Sequence, residues 1–173
     1  MRKFSVVFVA GVVAMTLLLA GSTRAEEKEK KKVDLPAKVK ASLDERFPGA
    51  ELTGAEKEME DGNVVYDLEL KHKGRKYEMD VKEDGTIMEI EKEVKGKDVP
   101  AAVTKAVEAK YPKAAVKEVM EVNVVKGKDE KPDHYEITIS IEGEKKGKEV
   151  IVALDGSSVK EEAPEAPEPK EKK

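Results

Sequence analysis

Cysteine and tryptophan are absent from the chain. Without a thiol there is no disulfide, no thiolate nucleophile and no thiolate metal ligand, so the fold must draw its stability from an apolar core. Histidine is scarce: only His72 and His134 are present. Arginine is equally scarce once the N-terminal segment is set aside, leaving Arg46 and Arg75. Beyond residue 25 the aromatic residues are Phe47, Tyr66, Tyr77, Tyr111 and Tyr135, all at positions expected to face a core. Tight interfaces concentrate their energy in exposed tyrosine, tryptophan and arginine. The composition therefore argues against a tight protein–protein interface.

Charge is plentiful instead. Asp, Glu, Lys and Arg make up 40% of the 173 residues, with a net charge of −4. Lysine and glutamate alternate along most of the chain, the pattern of a solvated exterior. A nucleic-acid binder would carry a segregated basic surface, so that class is excluded.

The N-terminus predicts export. Arg2 and Lys3 precede a run without charge from Phe4 to Ala20, followed by Gly21, Ser22, Thr23 and Ala25. This is the order of a secretory signal peptide, expected over residues 1–25 with cleavage after Ala25. The competing reading is a membrane anchor, because the run approaches the ~17 residues that can span a bilayer. Leu18-Leu19-Ala20-Gly21 resembles the start of a lipoprotein box, but Ser22 stands where a lipid-bearing cysteine would be. The processed chain is thus expected to have no stable membrane anchor and to reside in the periplasm or outside the cell. Its 30 basic residues then face 37 acidic ones, since the leader removes three basic residues and no acidic ones.

An internal repeat organises the remainder. Asp34-Leu35-Pro36-Ala37-Lys38-Val39 recurs as Asp98-Val99-Pro100-Ala101-Ala102-Val103. Leu43, Phe47-Pro48 and Ala50 recur as Val107, Tyr111-Pro112 and Ala114, always 64 residues on. Spacings of four (Leu35, Val39, Leu43, Phe47; Val99, Val103, Val107, Tyr111) put an apolar stripe along one side of a helix of about three turns. Pro36 and Pro100 suit the first turn, Asp34 and Asp98 are expected at or next to the N-cap, and Pro48 and Pro112 end each helix near Phe47 and Tyr111.

After each helix the period falls to two. Tyr66, Leu68 and Leu70 alternate with Asp67 and Glu69; Tyr77, Met79 and Val81 with Glu78 and Asp80; Met88 and Ile90 with Glu89. Leu52 to Met59 supplies a first strand. Turn residues at Asp61-Gly62-Asn63, His72-Lys73-Gly74 and Asp84-Gly85 separate the runs, as between antiparallel neighbours with one face buried. The second copy runs through Val116–Val125, Tyr135–Ile141, Val150–Leu154 and a short strand near Val159, with Lys126–Asp133 expected as a polar loop. The fold class is α+β: two tandem repeats, residues 34–95 and 96–162, each one helix on a four-stranded antiparallel sheet. Residues 26–33 form a charged linker, and 163–173 a tail of Pro, Glu and Lys expected to be disordered. Whether the copies pack together or extend one sheet is not set by the pattern.

The order of these motifs resembles the PepSY-like domain, grouped with the β-lactamase-inhibitor-like proteins of the bacterial envelope. The motifs are a Leu-Pro-Ala helix closed by an aromatic-Pro pair, then Val-Tyr-Asp-Leu-Glu-Leu, Gly74, Tyr77-Glu78-Met79-Asp80-Val81, Asp84-Gly85 and a last strand. The likeness covers nearly all of residues 34–162, and the longer first hairpin of the second copy departs from it. It implies a helix on an antiparallel sheet, export, and binding to an envelope or extracellular protein, in some relatives with inhibition of a hydrolase or peptidase. It brings no catalytic residues.

The chemistry on offer is thin. His72 in a turn between lysines and His134 at a strand start lack the held geometry of a triad or a metal site, so catalysis, metal and cofactor are not expected. Asp84-Gly85 and Asp155-Gly156 are explained as hairpin turns rather than calcium ligands. Asp67, Glu69, Glu78, Asp80, Glu89 and Glu91 share the free face of the first sheet with Lys71, Lys76 and Lys82. They read either as an acidic platform for a basic partner or as a solvated face laced with cross-strand ion pairs. The free face of the second sheet is expected to carry Asn123, Thr138, Ser140, Ile151 and Ala153. Its low charge is that of an interface centre, facing either a partner or the first repeat. The functional expectation is a non-enzymatic protein-binding module; the alternative is a periplasmic carrier of a small molecule or cation.

Overall fold

The computed structural model describes residues 33–60, 62–144 and 147–161. The leader, most of the charged linker and the C-terminal tail lie outside these residues. Two helices, α1 (Ala37–Arg46) and α2 (Ala101–Lys110), accompany eight strands: β1 (Glu51–Glu60), β2 (Asn63–His72), β3 (Arg75–Lys82), β4 (Ile87–Glu93), β5 (Ala114–Lys126), β6 (Asp129–Ile141), β7 (Lys148–Ala153) and β8 (Val159–Glu161). The strands form one antiparallel sheet in chain order, β1 to β8. The joint between its halves is the pairing of β4 with β5, from Glu89 opposite Val124 to Glu93 opposite Met120. The alternative left open by the pattern is therefore resolved as a common sheet.

Both helices lie on the same side. Val39, Leu43 and Phe47 of the α1 segment pack on Tyr66, Leu68, Leu70, Met79, Val81 and Ile90. Val103 and Val107 of α2 pack on Val119, Tyr135, Ile137, Ile139, Val150 and Val152. The two clusters trade residues at their border. Val94, just past β4, joins the second, and Val125 from β5 packs against the first.

Helix ends follow the prolines and not the aspartates. Pro36 and Pro100 are themselves the N-caps, extended at ψ 151° and 137°, and no side chain caps either helix. Their carbonyls accept the first helical bonds, from Lys40 N (3.0 Å) and Thr104 N (3.1 Å). Asp34 lies too far upstream to cap and instead meets Lys40 in an exposed ion pair at 3.4 Å. At the other end Phe47 and Tyr111 close the helices, each donating its backbone N–H at 2.8 Å to the carbonyl of Leu43 and Val107 respectively.

Each helix is also held by a turn of the sheet. Ser42 Oγ donates to Gly85 O at 2.6 Å. A Cβ at Gly156, whose φ is +72°, would stand 2.5 Å from the carbonyl oxygen of Ala102. Only glycine tolerates that conformation and that approach.

Two bulges displace the expected strands. Between β3 and β4 the register slips so that Val81 faces Ile87, and Ile87, not Met88, packs beside Ile90. The expected loop Lys126–Asp133 is instead a continuation of the β5–β6 hairpin, from Asn123 opposite Pro132 to Lys126 opposite Asp129. A bulge at Asp133 accommodates Pro132, which has no amide proton to give the ladder.

Candidate functional site

The face turned away from the helices is where the chemistry collects. Strand alternation sends Asp67 and Glu69 opposite to Leu68, and the register carries that assignment across the sheet. Asp67 faces Asp80, and Asp80 faces Glu89; Glu69 faces Glu78, and Glu78 faces Glu91. Glu56 of β1 extends the first row. Directly opposed like charges destabilise a sheet, and several of these are out of reach of water. Asp80 is 4% exposed and Glu91 2%. The reading of this face as a solvated surface laced with cross-strand ion pairs is therefore corrected. Like faces like here because a side-chain alternation defines a face but not its register.

One lysine answers part of this charge. Lys76 Nζ lies 2.7 Å from Glu78 and 3.1 Å from Glu118. Glu91 Oε1, Glu136 Oε2 and Asp67 Oδ1 are buried without a hydrogen-bond partner. Protonation is the response open to such groups. Burial, reinforced by Glu78 and other carboxylates, pushes Asp67 up to about 8. Burial raises Glu89 to about 7, His134 opposing the rise and Glu136 adding to it. Asp80 and Glu91 stand well above the usual carboxylate range, through burial and then the nearest carboxylates, Asp67 and Glu136 respectively.

The carboxylate strip runs over β2, β3 and β4, and meets Val124, Val122 and Met120 on β5. Beyond them, on β6, lie His134 and Glu136. His134 was expected at a strand start, without partners to hold it. It is instead buried within the strand, with Nδ1 2.9 Å from Asp133 and Nε2 3.1 Å from Glu136. Burial disfavours the charged imidazole, but these hydrogen bonds and the surrounding carboxylates outweigh it and hold the ring up to about 9. The ring is thus cationic near neutral pH and belongs to the charge network of this face.

Of the residues expected to form a charge-poor strip, four come together. Thr138 lies opposite Glu118 and Glu149, Ile151 opposite Glu136, and Ala153 opposite His134, with Ser140 one step along β6 from Thr138. All four are half-buried. Asn123 does not join them. It points to the helix side opposite Ile90, is 6% exposed, and its Nδ2 donates to Glu121 O at 3.2 Å. The parity of β5 is set by Val119, which packs under α2, so Asn123 at an even step from it must share that side. Met120 and Val122 take the place on the open face that Asn123 was expected to hold.

A second concavity lies on the helix side where the two halves meet. A groove of about 360 Å³ is lined by Arg46, Phe47, His72, Tyr77, Lys92 and Glu121, among others. Phe47 and Tyr77 meet at 4.9 Å with their rings tilted by 50°, and His72 meets the Phe47 ring edge-on at 5.7 Å. Arg46 pairs with Glu130, and Lys92 lies 3.6 Å from Glu121, so most of the groove's charge is balanced internally. Among the described residues no three His, Asp or Glu side chains are placed to hold a metal ion, and no helix is long and apolar enough to cross a membrane.

No protein-family model matches the chain, and no curated protein sequence does. Solved structures do. A BLIP-like protein from Bacteroides fragilis matches with 17% identity and a TM-score of 0.52, over 76% of this chain and 89% of the other. A DUF2874 family protein from Bacteroides uniformis matches with 17% identity and a TM-score of 0.56, over 73% and 88%. A protein from Bacteroides eggerthii, described as a candidate periplasmic protein, matches with 16% identity and a TM-score of 0.58, over 75% and 90%. At these identities the likeness is one of fold, and the fold they share is nearly their whole length.

Proposed function

We propose that the chain is an exported, non-enzymatic binding module for another envelope or extracellular protein, and that it works through the open face of its sheet. The observation that carries this reading is the strip of Thr138, Ser140, Ile151 and Ala153, four half-buried side chains on the side of the sheet away from the helices, with Met120 and Val122 buried beside them. Low charge flanked by a polar rim is the composition of an interface centre. The expected leader and the periplasmic description of the B. eggerthii protein support export to the periplasm. The BLIP-like name of the B. fragilis protein supports modulation of a hydrolase or peptidase as the outcome of contact. The module itself reads as a tandem duplication, 34–95 and 96–162. In its favour are α1 and α2, each ten residues long, begun at a proline and closed by an aromatic residue at φ −128° and −130°.

The test is capture from envelope extract by the immobilised processed chain, beside a Thr138→Arg/Ile151→Glu variant shown to melt normally. Loss of the captured species from the variant is expected; an unchanged set would remove the open face as the docking surface. The groove beside α1 supports a second reading, a small-ligand carrier. A thermal-shift screen separates the two, because a ligand bound only by the native state raises Tm.

A further inference from the structure

Asp67, Glu69, Glu78, Asp80, Glu89 and Glu91 stand in two rows across three adjacent strands, each row stepping about 5 Å from strand to strand. Such a strip does not converge on a point, and no described trio of acidic or histidine side chains is placed to cage a metal ion. It is a linear array. Its chief internal counter-charge, Lys76, sits toward one end and is shared with Glu118 on β5. Within it, Glu91 is 2% exposed and its Oε1 has no donor. Beside it, Glu136 Oε2 and Asp67 Oδ1 are likewise buried without one. A buried carboxylate oxygen without a donor is costly, and three on one face, along a line of further carboxylates, specify what is missing. Lys71, Lys76 and Lys82 share this face, but no donor reaches these three oxygens, and cationic donors on long stems are what would.

We infer that the partner reaches the open face with a basic, extended polypeptide segment whose lysine and arginine side chains are received by this carboxylate strip. The inference rests on the open-face reading above and names the chemistry of what docks there. An extended segment lying across the strands presents every second side chain toward the strip, about 7 Å apart, and the reach of lysine and arginine adjusts that spacing to the carboxylates. A guanidinium, with five donors in one plane, can bridge neighbouring carboxylates of a row. The charge-poor strip on β6 and β7 then meets the apolar remainder of the same partner. The protons that now hold Asp67 and Glu89 partly neutral would be released as the cations arrive.

The probe is a labelled nonapeptide alternating arginine and serine, with an otherwise identical glutamate peptide as control, followed by fluorescence anisotropy at about 50 mM and about 200 mM salt. The arginine peptide is expected to bind, more weakly at the higher salt, and the glutamate peptide not at all. A Glu69→Gln/Glu78→Gln/Glu91→Gln variant should bind at least tenfold more weakly. An Asp44→Asn/Glu45→Gln/Glu108→Gln variant, which removes as many carboxyl groups from the exposed sides of the helices, should stay within twofold of the parent. Because the sheet-face variant relieves opposed charges it should melt no lower than the parent, so its loss would not be one of folding. Equal weakening of both variants, or no binding of the arginine peptide, overturns the inference. So does displacement of the peptide by about 1 mM calcium at constant ionic strength, since the occupant would then be a metal ion. If the peptide fails while Thr138→Arg/Ile151→Glu still loses its captured protein, the docking face stands and only the basic segment falls.

Discussion

The two faces of this sheet are made from the same strands, one residue after the next, and they obey opposite rules. On the helix side Leu68, Leu70, Met79 and Val81 lie within 1% of full burial, and the two helix stripes close over them. On the other side Asp67, Glu78, Asp80 and Glu91 crowd against one another, and two of these four leave a buried oxygen without a donor. Because side chains alternate strictly along a strand, each apolar residue that tightens the core also thrusts its neighbours onto the open face. The comparison teaches that stability here is supplied from one side and spent on the other. A sheet with a well-filled core can hold a face of unresolved charge.

The sharpest way to break the comparison is to weaken the helix side. Leu68→Ala, at 0% exposure, should cost about 3 kcal/mol, read as a lower urea midpoint at unchanged slope. A loss below about 1 kcal/mol would mean that the core is not what carries the strained face. Next in size is pH. Carboxyls raised in the folded state, Asp67 to about 8 and Glu89 to about 7, bind protons more tightly than the unfolded chain does. Their stabilisation is full below the ordinary carboxylate value near 4 and drains away as pH climbs through their folded values. His134, held up to about 9, contributes below 6.5 and loses its share between 6.5 and about 9, in the same direction. Tm should therefore fall by roughly 5–10 °C between pH 5.5 and pH 8.5. A flat or rising profile would show the open face to be relaxed. The smallest change sharpens the contrast: Glu91→Gln should stabilise the protein at pH 8 by about 1–2 kcal/mol and flatten the pH profile, both readable in the same melts.

Much of the helix side was legible in the sequence. Spacings of four and two placed Val39, Leu43, Tyr66, Leu68, Ile137 and Val150 correctly, because a period assigns residues to a face from within one element. Opposition between strands is another matter. That Asp67 faces Asp80, or Glu78 faces Glu91, depends on the length of each turn and on the bulge near Val81, none of which leaves a mark in the alternation. Asn123 was misplaced for a related reason: β5 carries apolar residues on both faces, so its parity is not written in its own pattern, and only Val119 under α2 settles it. His134 was placed at a strand start because Pro132 suggested a loop before it. The chain instead absorbs the proline in a bulge and keeps its strand. Lys76 facing Glu118 across the joint could not be foreseen, since it depends on how the halves meet.

Among the described residues, eight strands in simple succession leave a sheet with two rims. One rim is β8, three residues long, too short to template another chain. The other is β1, ten residues long, whose open backbone could recruit a foreign strand and begin a filament. It is guarded by Glu51, Glu56, Lys57, Glu58 and Glu60 along its length, and by an irregularity between Leu52 and Gly54 that interrupts its ladder. Charge and broken register are recognised means of keeping an exposed rim from growing. The consequence is that this rim resists growth by strand addition.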